Sequence, residues 1–242
     1  MSQAVAALGL VRGRLARAAI VLDYDGTLAP IVDRPEHAIP AAGAVEVLVA
    51  LASLVRVVAI VTGRPSGFVR SRLPVAGLTV VGLYGSEDAP DLGADVLRAV
   101  ASIARSEEGA SVEDKGPAVA VHVRLAPDPD GAADRLRGPL AAIADESGLA
   151  LLEGKRVLEL APANSSKADA VLAVAQGAEA VMIAGDDTAD VASFAALDIV
   201  EASGVPVLRV AVAGPETPDE LRRLADLIVA GPEGLLDLLR GF

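Results

Sequence analysis

Five aspartates in two short runs are the residues of this chain best suited to chemistry. The first run, DYDGT, spans Asp23 to Thr27 and sets Asp23 and Asp25 two residues apart at the end of an apolar stretch. The second, GDDTAD, carries Asp186, Asp187 and Asp190 directly after another apolar stretch, Ala180 to Ala184. Carboxylates placed at the end of an apolar run are costly to desolvate unless donors or a metal compensate them. Three acids within five residues also repel one another, and Mg2+, with its preference for oxygen ligands, is the simplest compensation. Plainer readings stay open: a strand-end Asx turn for DYDGT, and an acidic helix start favoured by the macrodipole for one or two of the later three.

Two further elements carry groups that suit phosphate. TGR, Thr62 to Arg64, follows the apolar run Val57 to Val61. There the threonine hydroxyl and the amides of Gly63 and Arg64 can hold a phosphate oxygen, or Thr62 can simply cap a helix. Lys167 opens a predicted helix after Asn164, Ser165 and Ser166. A lysine at that end opposes the helix dipole, and its compact charge suits a phosphoryl group.

These residues need a scaffold that delivers strand ends to one place. The chain alternates apolar runs with helical spacing: strands are predicted at Ile20 to Asp23, Val57 to Val61, Thr79 to Leu83, Ala180 to Ala184 and Val205 to Ala211. Helices are predicted at Ala41 to Ser53, Lys167 to Ala175, Ala189 to Leu197 and Thr217 to Ala230. Continuous β-branched runs separated by helices imply an α/β domain, a Rossmann-like doubly wound parallel sheet covered on both faces. In such a sheet ligands bind at the carboxyl ends of the strands, where each motif sits.

The middle of the chain is patterned differently. Ala118 to Leu125 alternates strictly, and Val157 to Leu160 is a shorter strand with Glu159 as its lone charge. Residues 103–163 are therefore expected to form an inserted α+β cap subdomain, with 1–102 and 164–242 as the core. Pro139 is expected to kink or restart the helix that follows Gly131. Glu113 with Lys115, and His122 with Arg124, are spaced two apart, so each pair shares a face of an extended strand. Together with Glu159 they suit a polar ceiling for sugar hydroxyls, or a solvated sheet face with surface ion pairs.

Composition narrows the chemistry. There is no cysteine among the 242 residues, which excludes disulfides, thiolate metal sites and cysteine nucleophiles. The net charge of −12 opposes binding to nucleic acid or anionic lipid, so an anionic substrate needs a bound cation and positioned basic groups. Apolar runs are cut by charge at Asp23 and Arg56, short of a membrane span, and no signal-peptide cleavage pattern precedes Asp23. The expectation is a cytoplasmic protein, monomeric, with neither membrane nor nucleic acid as partner.

The order DxDGT, TGR, Lys, GDDxxD, each after its own strand, resembles the haloacid dehalogenase superfamily of phosphatases along nearly the whole chain. The resemblance implies that Asp23 attacks phosphorus and Asp25 protonates the leaving oxygen, then activates water. It further implies that Thr62 and Lys167 hold phosphoryl oxygens, and that Asp23, the Asp25 carbonyl and Asp186 bind Mg2+. DYDGTLAPI with Pro35, then GLYGSE, VEDKGPAVAVHVR, GKRVLEL and GDDTAD, is similar to the trehalose-6-phosphate phosphatases. That likeness assigns Glu113, Lys115, Arg124 and Glu159 to the sugar. Tyr84, Ala161, Ala168 and Val191 depart from the usual pattern. They leave open a different sugar phosphate, such as a glucosyl- or mannosyl-phosphoglycerate or sucrose phosphate, or a non-catalytic sugar-phosphate-binding regulator.

Overall fold

The computed structural model describes residues 3–242. The chain starts with α1 (Gln3–Arg12), β1 (Ala18–Leu22), α2 (Ala44–Leu54), β2 (Val57–Val61), α3 (Ser66–Arg72) and β3 (Leu78–Val81). An inserted stretch follows, with α4 (Ala94–Ala104), β4 (Ser111–Asp114), β5 (Val119–His122), α5 (Pro129–Ser147), β6 (Leu149–Gly154) and β7 (Val157–Pro162). The α/β alternation then resumes with α6 (Lys167–Ala175), β8 (Ala180–Gly185), α7 (Thr188–Ala196), α8 (Asp198–Ala202) and β9 (Val207–Ala213). It closes with α9 (Asp219–Leu224), β10 (Leu227–Ala230) and α10 (Gly231–Leu239).

The chain divides into two compact units, one built from the segments up to Tyr84 and from Ser166 to Phe242, the other from Gly85–Ser165. In the first, six strands pair in parallel in the order β10-β9-β8-β1-β2-β3. Every residue of β1 and β8 is buried, as a sheet covered on both faces requires. Ile20 and Leu22 pack with Leu48, Leu51, Leu236 and Leu239 from α2 and α10, whereas Val21 packs on the other side with Val171, Phe194 and Leu221 from α6, α7 and α9. Each such aliphatic side chain contributes about 1.5–3 kcal/mol on burial. β1 is the point where the strand order reverses, with β2 and β3 on one side and β8 to β10 on the other. The crevice at such a point is where open α/β sheets bind ligands. Asp23, Thr62 and Asp186 are the residues that leave β1, β2 and β8 at this end.

The second unit is an antiparallel sheet, β4-β5-β7-β6, backed by α4 and α5. Val119, Val121, Leu158 and Leu160 face Val100, Leu136 and Leu140, all buried. The opposite face carries Glu113 and Glu159, both in register with Ala120 on the intervening strand.

The structure differs from the sequence-based expectations at four places. The helix expected over Thr217 to Ala230 ends at Leu224, and Leu227–Ala230 instead adds an edge strand paired with Val210–Ala213. The inserted unit begins at Gly85 rather than 103, since Val100 and Ala104 of α4 belong to its apolar cluster. α5 runs through Pro139 as one helix, which excludes the restart but not the kink, the other outcome expected there. The strand expected to reach Leu83 ends at Val81, because Leu83 and Tyr84 turn into left-handed backbone with φ of 46° and 52°. Among the described residues, no helix is long and apolar enough to cross a membrane.

Candidate active site

The carboxyl ends of β1 and β8 meet through register: Leu22 pairs with Ala184, and the Asp23 N–H donates to the Ala184 carbonyl at 3.0 Å. This pairing sets Asp23 and Asp186 side by side. With Asp190 from the first turn of α7 they form a buried trio, each offering an oxygen within 4.8 Å of the others. Asp190 Oδ2 accepts from the backbone N–H groups of Asp186 and Asp187 at 3.0 and 3.1 Å, which fixes the turn between β8 and α7. The Thr27 hydroxyl, fully buried, donates to Asp186 Oδ1 at 3.2 Å.

Lys167, at the start of α6, reaches both outer members, with Nζ 2.9 Å from Asp23 Oδ1 and 2.7 Å from Asp190 Oδ1. That buried Asp190 oxygen has no partner among the described residues besides the ammonium, which compensates it. Burial pushes the Asp23 carboxyl well above the usual range, and Asp190 and Asp186 push the same way, against the pull of Lys167. Asp190 is raised for the same leading reason. Burial alone would lower Lys167, but Asp190 and Asp23 outweigh it and hold the ammonium firmly charged.

With all three carboxylates ionised against one ammonium, the buried cluster would carry an excess of two negative charges, which is what burial resists at Asp23 and Asp190. A divalent cation would supply the missing charge, and an all-oxygen donor set suits Mg2+. Glycine at position 26 is what lets the trio close up. Its φ is +76°, and a Cβ there would lie 1.9 Å from Asp186 Oδ2.

The trio of carboxylates does not include Asp187, nor Asp25, whose expected metal ligand is its backbone carbonyl. The Asp187 carboxylate accepts from the Ala189 N–H at 2.8 Å and caps α7 in a reciprocal pair with Asp190, so the helix-start reading accounts for it. The Asp25 carboxylate takes a two-pronged contact from Arg64, Nε to Oδ2 at 2.6 Å and Nη2 to Oδ1 at 2.7 Å. Thr62 is buried at the end of β2, and its hydroxyl accepts the Arg64 N–H at 3.2 Å. The Tyr84 hydroxyl stands over Gly63, 3.0 Å from where a Cβ would be, and its ring centroid lies 5.9 Å from Lys167 Nζ.

Within the second unit the expected sugar contacts pair with each other. Lys115 Nζ lies 2.5 Å from Glu159 Oε2, and His122 Nε2 lies 2.8 Å from Glu113 Oε2. Arg124 donates to the Lys155 carbonyl at 3.2 Å. These contacts place four of the five on one connected polar face across β4, β5 and β7. Sequence reasoning placed Thr27 only as the end of the DYDGT run and missed it as a partner of Asp186. The signal was its position two residues after Asp25.

Comparison with known proteins agrees with this architecture. A trehalose-phosphatase family model matches residues 21–226. An uncharacterized glycosyl hydrolase of Mycobacterium tuberculosis is 38% identical over 168 residues, covering 63% of this chain and 12% of that protein. A probable trehalose-phosphate phosphatase of Sinorhizobium fredii is 33% identical over 197 residues, covering 73% of this chain and 72% of that protein. The chain thus spans 12% of the first relative and 72% of the second. The C-terminal domain of a Candida albicans trehalose-6-phosphate phosphatase shares the fold, with a TM-score of 0.78 at 22% identity over 98% of this chain and 96% of that one. Since the matched region takes in the whole inserted unit and the core from the end of β1 through α9, this chain belongs to the trehalose-phosphatase family.

Proposed function

We propose that this chain is a Mg2+-dependent phosphatase that cleaves trehalose 6-phosphate to trehalose and phosphate through an aspartyl-phosphate on Asp23. The observation that carries the reading is the buried trio of Asp23, Asp186 and Asp190 with Lys167 wedged between two of its members. A nucleophilic carboxylate must be ionised, and burial works against that for Asp23. The Lys167 ammonium opposes it from 2.9 Å. Asp23, Asp186 and Asp190 would hold Mg2+, which when bound would supply the remaining charge and stabilise the negative charge that gathers on the transferring group.

In the first displacement an Asp23 oxygen bonds to phosphorus as the bond to the sugar oxygen breaks, and Asp25 gives that oxygen its proton. In the second, Asp25 takes a proton from water, whose oxygen displaces Asp23 from phosphorus and releases phosphate. Lys167 and Thr62 hold the phosphoryl oxygens through both steps. Glu113, Lys115, His122, Arg124 and Glu159 hold the sugar, with the backbone amides of Gly63 and Arg64 at the phosphate end as first expected from sequence. The inserted unit is the substrate-specificity cap in this reading.

Phosphate release from trehalose 6-phosphate in Mg2+, compared between the natural chain and Asp23→Asn, tests the proposal. Turnover is expected to vanish in the variant and on adding EDTA, and equal background from both proteins would end it. A second reading keeps the chemistry and changes the sugar. It is favoured by Tyr84, which stands over Gly63 where the family usually has histidine. A panel that includes glucosyl- and mannosyl-phosphoglycerate and sucrose phosphate decides between the two.

A further inference from the structure

We infer that the Arg64 guanidinium positions the acid–base carboxylate Asp25, rather than binding substrate. The inference rests on the reading of Asp25 given under Proposed function. Arg64 lies just past β2 and Asp25 just past β1, so neighbouring strand ends bring together residues 39 apart in the chain. The guanidinium grips Asp25 along one edge, through Nε and Nη2, at 2.6 and 2.7 Å. Its remaining nitrogen, Nη1, donates to the Pro35 carbonyl at 2.8 Å. Its plane is also pinned by aromatic rings, with Cζ 4.2 Å from the Phe68 centroid and 5.7 Å from that of Tyr24.

The two partners are not equally exposed. The Arg64 side chain is 13% exposed and that of Asp25 is 31%. An exposed ion pair between two mobile side chains holds neither in place. Here one partner is anchored by a backbone carbonyl and two rings, so it acts as a fixed mount for the other. The planar fork also sets the orientation of the carboxylate as well as its distance, which an ammonium cannot do. A general acid must lie within hydrogen-bond reach of the leaving oxygen, and a misplacement of about 1 Å costs on the order of a hundredfold in rate. A guanidinium already committed to Asp25, Pro35 and two rings is poorly placed to serve a phosphoryl group as well.

The test uses leaving groups of different basicity. A sugar alkoxide needs a proton to depart, whereas p-nitrophenolate does not. The value read is kcat/KM, which reports only the first displacement and so isolates the acid from the later base step. For Arg64→Leu and Arg64→Gln, kcat/KM on trehalose 6-phosphate is expected to fall about 10- to 100-fold. On p-nitrophenyl phosphate it is expected to fall at least tenfold less, and Arg64→Lys is expected to restore little on either substrate. Arg64→Gln keeps an amide donor and much of the stem over Phe68, and melting curves for each variant separate misfolding from mispositioning.

Asp25→Asn is run alongside and is expected to discriminate between the two substrates in the same sense. Equal losses on both substrates for the Arg64 variants, or a rise in KM with kcat unchanged, would overturn the inference and return Arg64 to substrate binding. If Asp25→Asn discriminates and the Arg64 variants do not, the inference fails alone. If Asp25→Asn also strikes both substrates equally, the acid role of Asp25 fails with it.

Discussion

Replacing Gly26 by alanine is the sharpest probe of how tightly the acid trio is built. The added Cβ would meet Asp186 Oδ2 at 1.9 Å, Cγ at 2.3 Å and Oδ1 at 2.6 Å. Restoring ordinary contact at 3.4 Å requires a shift of about 1.5 Å by the Asp186 carboxylate or the Gly26 backbone. Neither is loose, since Asp186 takes the Thr27 hydroxyl and the Gly26 N–H donates to the Ala29 carbonyl at 2.7 Å. The left-handed backbone adds about 1–2 kcal/mol for an L-residue, and overpacking adds roughly 1–3 kcal/mol. Gly77→Ala is the matched control, with a φ of +80° and nothing within 4 Å of the added atom. It meets only the backbone term. Thermal melts and phosphate-release kinetics on both variants are the assay. Gly77→Ala is expected to lose a few degrees of melting temperature at unchanged kcat/KM, because 1 kcal/mol is worth about 2–4 °C at this size. Gly26→Ala is expected to lose about twice the stability and on the order of a hundredfold in kcat/KM. Equal stability loss with full activity in both would mean that the close approach of Gly26 to Asp186 does not matter, and the metal-site argument would lose its geometric basis.

Two more outcomes follow from the buried charges. Asp23 is raised above its ordinary 3.8 in the fold, so its protonated form stabilises the native state below that value, and the benefit is lost as pH rises through the raised one. Melting temperature in EDTA is therefore expected to fall with rising pH across that window and Mg2+ to flatten the fall, whereas a Mg2+ effect independent of pH would speak against Asp23 as a ligand. In the inserted unit, Lys115→Met strands the Glu159 carboxylate in a site where the two side chains are 7% and 10% exposed, at an expected loss of about 3–5 kcal/mol. Combining it with Glu159→Leu is expected to recover most of that loss in denaturant melts, and simple additivity of the two single losses would show that the pair does not couple.

Much of the site was readable in sequence because a parallel sheet converts order along the chain into proximity. Asp23, Thr62 and Asp186 each follow a run of buried apolar residues, and the topology brings their strands together as β8, β1 and β2. What could not be read were choices made by tertiary partners. Leu227–Ala230 has the apolar content of a helix continuation, and only pairing with β9 makes it a strand. α4 carries the pattern of any amphipathic helix, and nothing local says which of two sheets receives it. The sequence offers Arg64 for its backbone amide, and nothing local says that its side chain will grip Asp25, 39 residues away. Asp187 belongs to an acidic run by spacing, yet the N–H of Ala189 claims it as a cap.

The acid trio makes little sense as a device for stability. A buried ion pair rarely improves on apolar packing of the same volume, and here three carboxylates share a single lysine. The surrounding backbone is nonetheless spent on holding them: two N–H groups on Asp190, a buried hydroxyl on Asp186, and a glycine whose missing side chain makes room. A fold selected only for stability would lose nothing by replacing this cluster with leucine and valine, as the rest of β1 and β8 already does. Retaining the charge while supplying donors to orient it is intelligible if the negative excess is the working feature. A cation and a phosphoryl group would then complete an arrangement that the chain by itself leaves electrostatically unbalanced.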